Sequence, residues 1–161
     1  MQLYMRQKVF TIGDRFNVWD EAGNDRWYVE QELFTWGKTL RIYDPQEREA
    51  ACVRREVLTL LPVFSVTAGS REIARIVRHF TLFCQEYEVS GPDWYVEGEF
   101  LAHEFTIRRG DVQVAAVHKE WLTWGDCYTL EIADSRDELL ALAVALAIDC
   151  ANDSRGHYAG Q

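Results

Sequence analysis

Lysine is nearly missing from this chain: among 17 basic residues only Lys8, Lys38 and Lys119 are lysines, and 26 acids bring the net charge to -9. That balance argues against a general nucleic-acid or anionic-membrane surface. An acidic, lysine-poor surface suits a high-salt cytoplasm, although a GC-rich genome gives the same bias. Proline is scarce, with 3 in 161 residues, and no segment is low in complexity. The four cysteines, Cys52, Cys84, Cys127 and Cys150, form no CxxC pair. Zinc or a redox couple is therefore not indicated, and free, buried thiols in a reducing compartment are expected. An N-terminal apolar stretch of signal-peptide type is also lacking, so the expected location is cytoplasmic.

What is present begins with Leu139 to Ile148, which contains no polar side chain. At about 3.6 residues per turn, such a run covers every face of a helix, and a helix apolar all round must lie inside protein or lipid. Large and small residues alternate from Leu140 to Ile148, which is also a strand signal. The alternating alanines favour a helix, because alanine is the best helix former and a poor strand former. Ser135 and Glu138 stand at capping-box spacing, with Asp134 as a competing cap. The run is too short for a membrane span of about 20 residues. The expectation is a buried helix over 136–152, followed by a flexible tail over 153–161.

Upstream, a short pattern recurs. Trp27-Tyr28-Val29-Glu30 returns as Trp94-Tyr95-Val96-Glu97, and Glu56-Val57-Leu58-Thr59 as Glu120-Trp121-Leu122-Thr123. Related cores at Lys8 to Thr11, Glu32 to Thr35, Arg78 to Thr81 and Glu99 to Ala102 make six copies, and repeats of this kind decide a fold. Alternating stretches flank each core. Turn-forming residues separate the copies: Glu21 to Asp25, Asp44-Pro45, Ala68 to Ser70, Ser90 to Asp93 and Arg109 to Asp111. Six hairpins give about twelve antiparallel strands. In meander order these can close into a barrel without exposed edges, and a barrel of that size needs something to fill its lumen. A six-bladed propeller is the rival, but two strands make too small a blade. The fold class expected is mainly β (α+β): one domain over 1–152, a twelve-stranded closed antiparallel barrel around a central C-terminal helix.

The string Trp124 to Asp134 leading into Asp137 to Ala143, with Glu97 to Phe105, resembles the signature of LURP-one-related proteins, and the similarity spans roughly residues 2 to 152. That family is similar to the tubby C-terminal domain and to phospholipid scramblases. The resemblance implies a twelve-stranded barrel around a hydrophobic helix. It also implies two kinds of lipid function: phosphoinositide binding, as in tubby domains, and lipid movement, as in scramblases. This chain departs from those relatives in its acidity, in lacking a palmitoylation-type cysteine cluster, and in having no basic flank on its helix.

Enzyme motifs are weak. Gly37-Lys38-Thr39 resembles the end of a P-loop, but Glu32 stands where the first glycine belongs. His103-Glu104 has Ile107 where a zinc helix needs its second histidine. His118 with Glu120, and Glu97 with Glu99, share strand faces and read as the wet side of a sheet. No serine sits in a nucleophile elbow. Neither a catalytic residue, a metal site nor a cofactor is expected. The binding candidates are Arg54, Arg55, Arg75, Arg78, His118 and Lys119, which would form a cationic patch for an anionic head group if their strands were neighbours. Trp36 and Trp124 at turns either grip a partner or cover the barrel mouths. The expected function is a non-enzymatic module binding a small ligand, lipid or protein. The alternatives are a peripheral phosphoinositide- or phospholipid-binding or scramblase-like protein, and a metal-dependent or hydrolytic enzyme with a site at a barrel mouth.

Overall fold

The computed structural model describes residues 1–6, 15–32, 37–80, 85–122 and 125–156. Twelve strands follow one another: β1 (Gln2–Arg6), β2 (Arg15–Asp20), β3 (Asp25–Gln31), β4 (Thr39–Tyr43), β5 (Glu49–Arg55) and β6 (Val63–Ala68), then β7 (Arg71–Phe80), β8 (Gln85–Ser90), β9 (Trp94–Glu99), β10 (Glu104–Arg109), β11 (Val112–Leu122) and β12 (Gly125–Ile132). Each pairs antiparallel with the next, and β1 pairs with β12 to close the barrel. Single 3-10 turns at Phe100–Ala102 and Ser135–Asp137 interrupt the chain, and α1 (Glu138–Gly156) follows. This is the expected architecture.

Alternation does most of the work. Leu3, Leu130, Val117 and Phe105 lie side by side across β1, β12, β11 and β10, all buried and facing inward. Ile107, Val96 and Tyr87 continue an inward row across β10, β9 and β8. Ala141 through Ile148 of α1 are buried without exception, so the helix takes up the barrel interior and each inward strand residue has a helix or strand neighbour to pack on. Alanine at 141, 143, 145 and 147 keeps this helix narrow. Among the described residues, no helix is long and apolar enough to cross a membrane.

The anticipated turns at 21–25, 44–45, 68–70, 90–93 and 109–111 each join an even strand to the following odd strand, and so gather at one end of the barrel. Two of them use the same device: Asp20 accepts from the backbone of Ala22 and Asn24, both at 2.9 Å, and Asp44 from Gln46 at 2.9 Å and Arg48 at 3.0 Å. The start of α1 lies at this end. Asp134, rather than Ser135, is the cap, accepting from the Arg136 backbone at 2.9 Å. Glu138 does not close a capping box. Its buried carboxylate instead accepts from Arg26 at 3.1 and 2.7 Å and from the Trp27 indole at 2.8 Å. The helix also runs to Gly156, four residues past its expected end, and 157–161 lie outside the described residues.

Candidate functional site

The opposite end of the barrel, where odd strands turn into even ones, receives the C-terminal half of α1. Asn152 donates to the Phe100 carbonyl at 2.7 Å, and His103 Nδ1 lies 3.3 Å from Asp149 Oδ1. His103 sits in a left-handed conformation with its ring 4.5 Å from that of Tyr128. The neighbours His103 and Glu104 are thus divided: His103 meets the helix, while Glu104 points outward to His118 at 2.8 Å. That hydrogen bond lowers the Glu104 carboxyl, and the Lys119 backbone N–H at 3.0 Å acts in the same direction.

The six candidate cations do not form one patch. Arg54 and Arg55 are consecutive on β5, Arg75 and Arg78 are three apart on β7, and His118 and Lys119 are consecutive on β11. Side chains alternate across a strand, so each pair is split between faces. Outside, Arg54 and Arg75 flank Ser65 in register. Arg75 is bridged to Glu56 at 2.6 Å and stands 3.9 Å from Glu72. His118 is on the outside as well, but β11 lies four strands beyond β7, on another side of the barrel. On the inward register, Arg55 stands in line with Phe64, Arg78 with Tyr87, and Lys119 with Tyr128. All three belong to the mouth where α1 ends, whose carbonyl end favours positive charge.

Arg78 is enclosed, at 2% exposure. Its guanidinium lies 4.5 Å from the Phe80 ring centroid and 5.9 Å from that of Tyr87. The Tyr87 hydroxyl is buried and meets no hydrogen-bond partner among the described residues. An orphaned group of this kind costs about 1–3 kcal/mol. Burial pushes the phenol up to about 12, while the positive charge of Arg55 pulls the other way.

A second feature of this mouth went unnoticed in the sequence. Glu56 to Thr59, taken there as a strand core, is loop instead, and it projects an apolar prong. Leu58 and Leu60 are 101% and 104% exposed, with Val57 also exposed beside them. Leu58 has φ 65, the left-handed region that a bulky side chain seldom adopts. The base is firmly tied. Glu56 N–H donates to the Val63 carbonyl at 2.8 Å, Arg55 N–H to Lys38 at 2.9 Å, and Arg78 N–H to Pro62 at 3.3 Å. Gly37 backs the base: its φ is 121, and a Cβ there would stand 2.7 Å from the Arg55 carbonyl. Exposed Phe80 and Leu101 belong to the same rim. The signal available in the sequence was Val57-Leu58-Thr59-Leu60-Leu61, an apolar run without clean alternation, stopped by Pro62.

A LURP-one-related family model matches residues 1–149, nearly the whole barrel and its helix. The chain belongs to the LURP-one-related family. A similar protein, the uncharacterised YxjI of Bacillus subtilis (strain 168), is 28% identical over 149 residues, covering 92% of both chains. An X-ray structure of a protein from Arabidopsis thaliana superposes with a TM-score of 0.63 at 15% identity, over 92% of this chain and 89% of that one. At that identity the likeness concerns the fold alone. No group of three or more metal-ligating side chains is assembled among the described residues of this family member. Cys52, Cys127 and Cys150 are buried and form no disulfide among the described residues. Trp36, Trp124 and the repeat cores 8–11, 33–35 and 81 lie outside the described residues, as does position 123.

Proposed function

We propose that this LURP-one-related protein is a non-enzymatic binding module that engages its partner through the mouth where α1 ends. One observation carries the reading: the prong presents Val57, Leu58 and Leu60 to solvent on a hydrogen-bonded base. Single exposed leucines are ordinary, but a cluster of apolar side chains on one projecting loop is a docking device. A fixed base lowers the ordering cost of binding. The left-handed Leu58 is consistent with strain retained at a site of use. Thiols left out of disulfides among the described residues suit a cytoplasmic protein.

A lipid surface is the second reading, favoured by the order of side chains along the loop. Leu58 and Leu60 form the tip, while Arg54 and Arg55 lie at the base. The same order, apolar then cationic, matches a bilayer from acyl chain to phosphate. Co-sedimentation with phosphatidylcholine vesicles, with and without phosphatidylserine or a phosphoinositide, at low and high salt, tests it. Binding that requires anionic lipid and is lost in L58S/L60S and in R54A/R55A supports the lipid reading. Prong-independent sedimentation refutes the role of the mouth. If no vesicle binds, cross-linking of a protein partner that depends on Leu58 and Leu60 supports the wider reading. A stoichiometric metal in the purified protein, needed for hydrolytic turnover, would favour the enzymatic alternative.

A further inference from the structure

The outside of the barrel carries large aromatic rings on a face that strand alternation leaves to water. Tyr4, Trp19, Tyr28 and Tyr43 stand on four consecutive strands, β1 to β4, each half-buried. Their neighbours Leu3, Val18, Val29 and Ile42 fill the core, so these rings face out. In register, Tyr4, Trp19 and Asp25 form one row, Asn17, Tyr28 and Tyr43 a second, and Arg15, Glu30 and Arg41 a third. Arg15 shows how a guanidinium is received here. It lies 4.4 Å from the Tyr28 ring centroid and 5.8 Å from that of Tyr43, and pairs with Glu47 at 2.6 Å. The next row has the same parts, and among the described residues no cation lies over its indole. Tyr4 stacks on the β1 side of Trp19, with centroids 6.4 Å apart, and exposed Asp25 stands in register on its β3 side. Asp25 accepts only from neutral donors, the Asn17 amide at 3.0 Å and the Tyr28 hydroxyl at 3.3 Å. Exposed Glu30 enters no ion pair among the described residues, its register neighbours being committed elsewhere: Arg15 to Glu47, and Arg41 to Glu32 and Glu49.

We propose that this face docks an arginine-rich segment of a partner protein, one guanidinium lying on Trp19 and bonded to Asp25 and another bonded to Glu30. Surface Tyr and Trp are favoured anchors at interfaces, and carboxylates without a cation draw a partner of opposite charge. A guanidinium suits the site better than an ammonium, because it is planar and can stack on a ring while donating to a carboxylate. Asp25 keeps acceptor capacity for it, since a carboxylate offers about four lone-pair sites and its described bonds leave some open. The net charge of -9 steers a cationic segment toward the chain, and the aromatic rows decide where it stops. The face shares no residue with the prong, so it stands or falls apart from the role of the mouth.

The test is a titration of dye-labelled hexa-arginine and hexalysine peptides with the full chain, followed by fluorescence anisotropy at about 0.15 M salt, where long-range attraction is largely screened. The variants are Trp19→Ser, D25N/E30Q and, as a control of equal charge, E86Q/E88Q on β8, six strands from β2 in the ring of twelve and therefore on the opposite side. The expected result is saturable hexa-arginine binding, tighter than that of hexalysine, weakened about threefold or more in Trp19→Ser and in D25N/E30Q, and unchanged in E86Q/E88Q and in L58S/L60S. Circular dichroism melts check the fold of each variant, and the near-isosteric D25N/E30Q keeps the test open should Trp19→Ser be unstable. Equal losses in D25N/E30Q and E86Q/E88Q would mean diffuse attraction to an acidic protein and overturn the site. Hexalysine binding as tightly as hexa-arginine, or no binding at millimolar peptide, overturns it as well.

Discussion

Replacing Val144 with aspartate probes the barrel at its most enclosed point. Val144 has no exposed surface and lies between Ala143 and Ala145 on a helix whose neighbours are equally buried. Trimming it to alanine removes two methyl groups, worth about 0.8 kcal/mol each in transfer, and the cavity term brings the cost to about 2 kcal/mol. Aspartate adds a charge that must be desolvated or neutralised. A carboxyl held neutral at pH 7 by a rise of about 3 units costs about 4 kcal/mol more. The total of about 6 kcal/mol is comparable to the whole stability of a domain, about 5–15 kcal/mol. Val144→Asp is therefore expected to be unfolded or barely folded at pH 7, with Val144→Ala intermediate. The sign of the pH dependence is fixed. A carboxyl whose folded pKa is raised loses stability as pH climbs from the unfolded value, near 4, through the folded one. The gap to wild type should be smallest near pH 4 and widest at neutrality. Thermal melts by circular dichroism at a series of pH values read it directly. A folded Val144→Asp protein with unchanged Tm at pH 7 would refute a helix enclosed by strands.

Three further outcomes follow from contacts already described. Gly37→Ala forces a Cβ toward the Arg55 carbonyl at a positive φ, and should cost about 1–3 kcal/mol in chemical denaturation; an unchanged midpoint would mean that the base of the prong is not so closely packed. Arg26→Ala leaves the buried Glu138 carboxylate with only the Trp27 indole as a described partner, and should cost about 1–3 kcal/mol, with Trp fluorescence reporting the change; because Arg26 is itself partly exposed, the lower part of that range is expected. Asp134 is held at about 2, first by the Arg136 side chain and then by the Arg136 backbone N–H. Its depressed value stabilises the fold above the unfolded value near 4, and that support is lost as pH falls toward 2, so Asp134→Asn should flatten the melting curve's pH dependence in that window.

The barrel was legible because its signals are local and redundant. Period-two alternation, Gly or Asp at every even-to-odd turn, and ten apolar residues in a row each allow few alternatives. The cationic candidates were grouped on their place in the repeat rather than on parity. Arg54 and Arg55, being consecutive, had to face opposite sides of the sheet, and the same rule separates Arg75 from Arg78. The prong was hidden for another reason: Val57 to Leu61 has strand-forming residues, and it is the ties to Lys38, Val63 and Pro62 at its base that hold it out as a loop. The choice of Arg26 as the partner of Glu138 depends on groups more than a hundred residues apart meeting at one barrel end, whereas Asp134 caps through a local contact to the Arg136 backbone.

The pairing of β1 with β12, sealed where the Met1 amino group donates to the Ile132 carbonyl at 3.0 Å, also bears on how the protein comes into being. Strands emerge in order during synthesis, but the sheet cannot close until its twelfth member appears, and its filling, α1, follows that strand. Until then the growing chain holds an open sheet with two unpaired edges and a bare apolar face. Folding should accordingly be slow and late, completed in one step when the helix enters and the first and last strands meet.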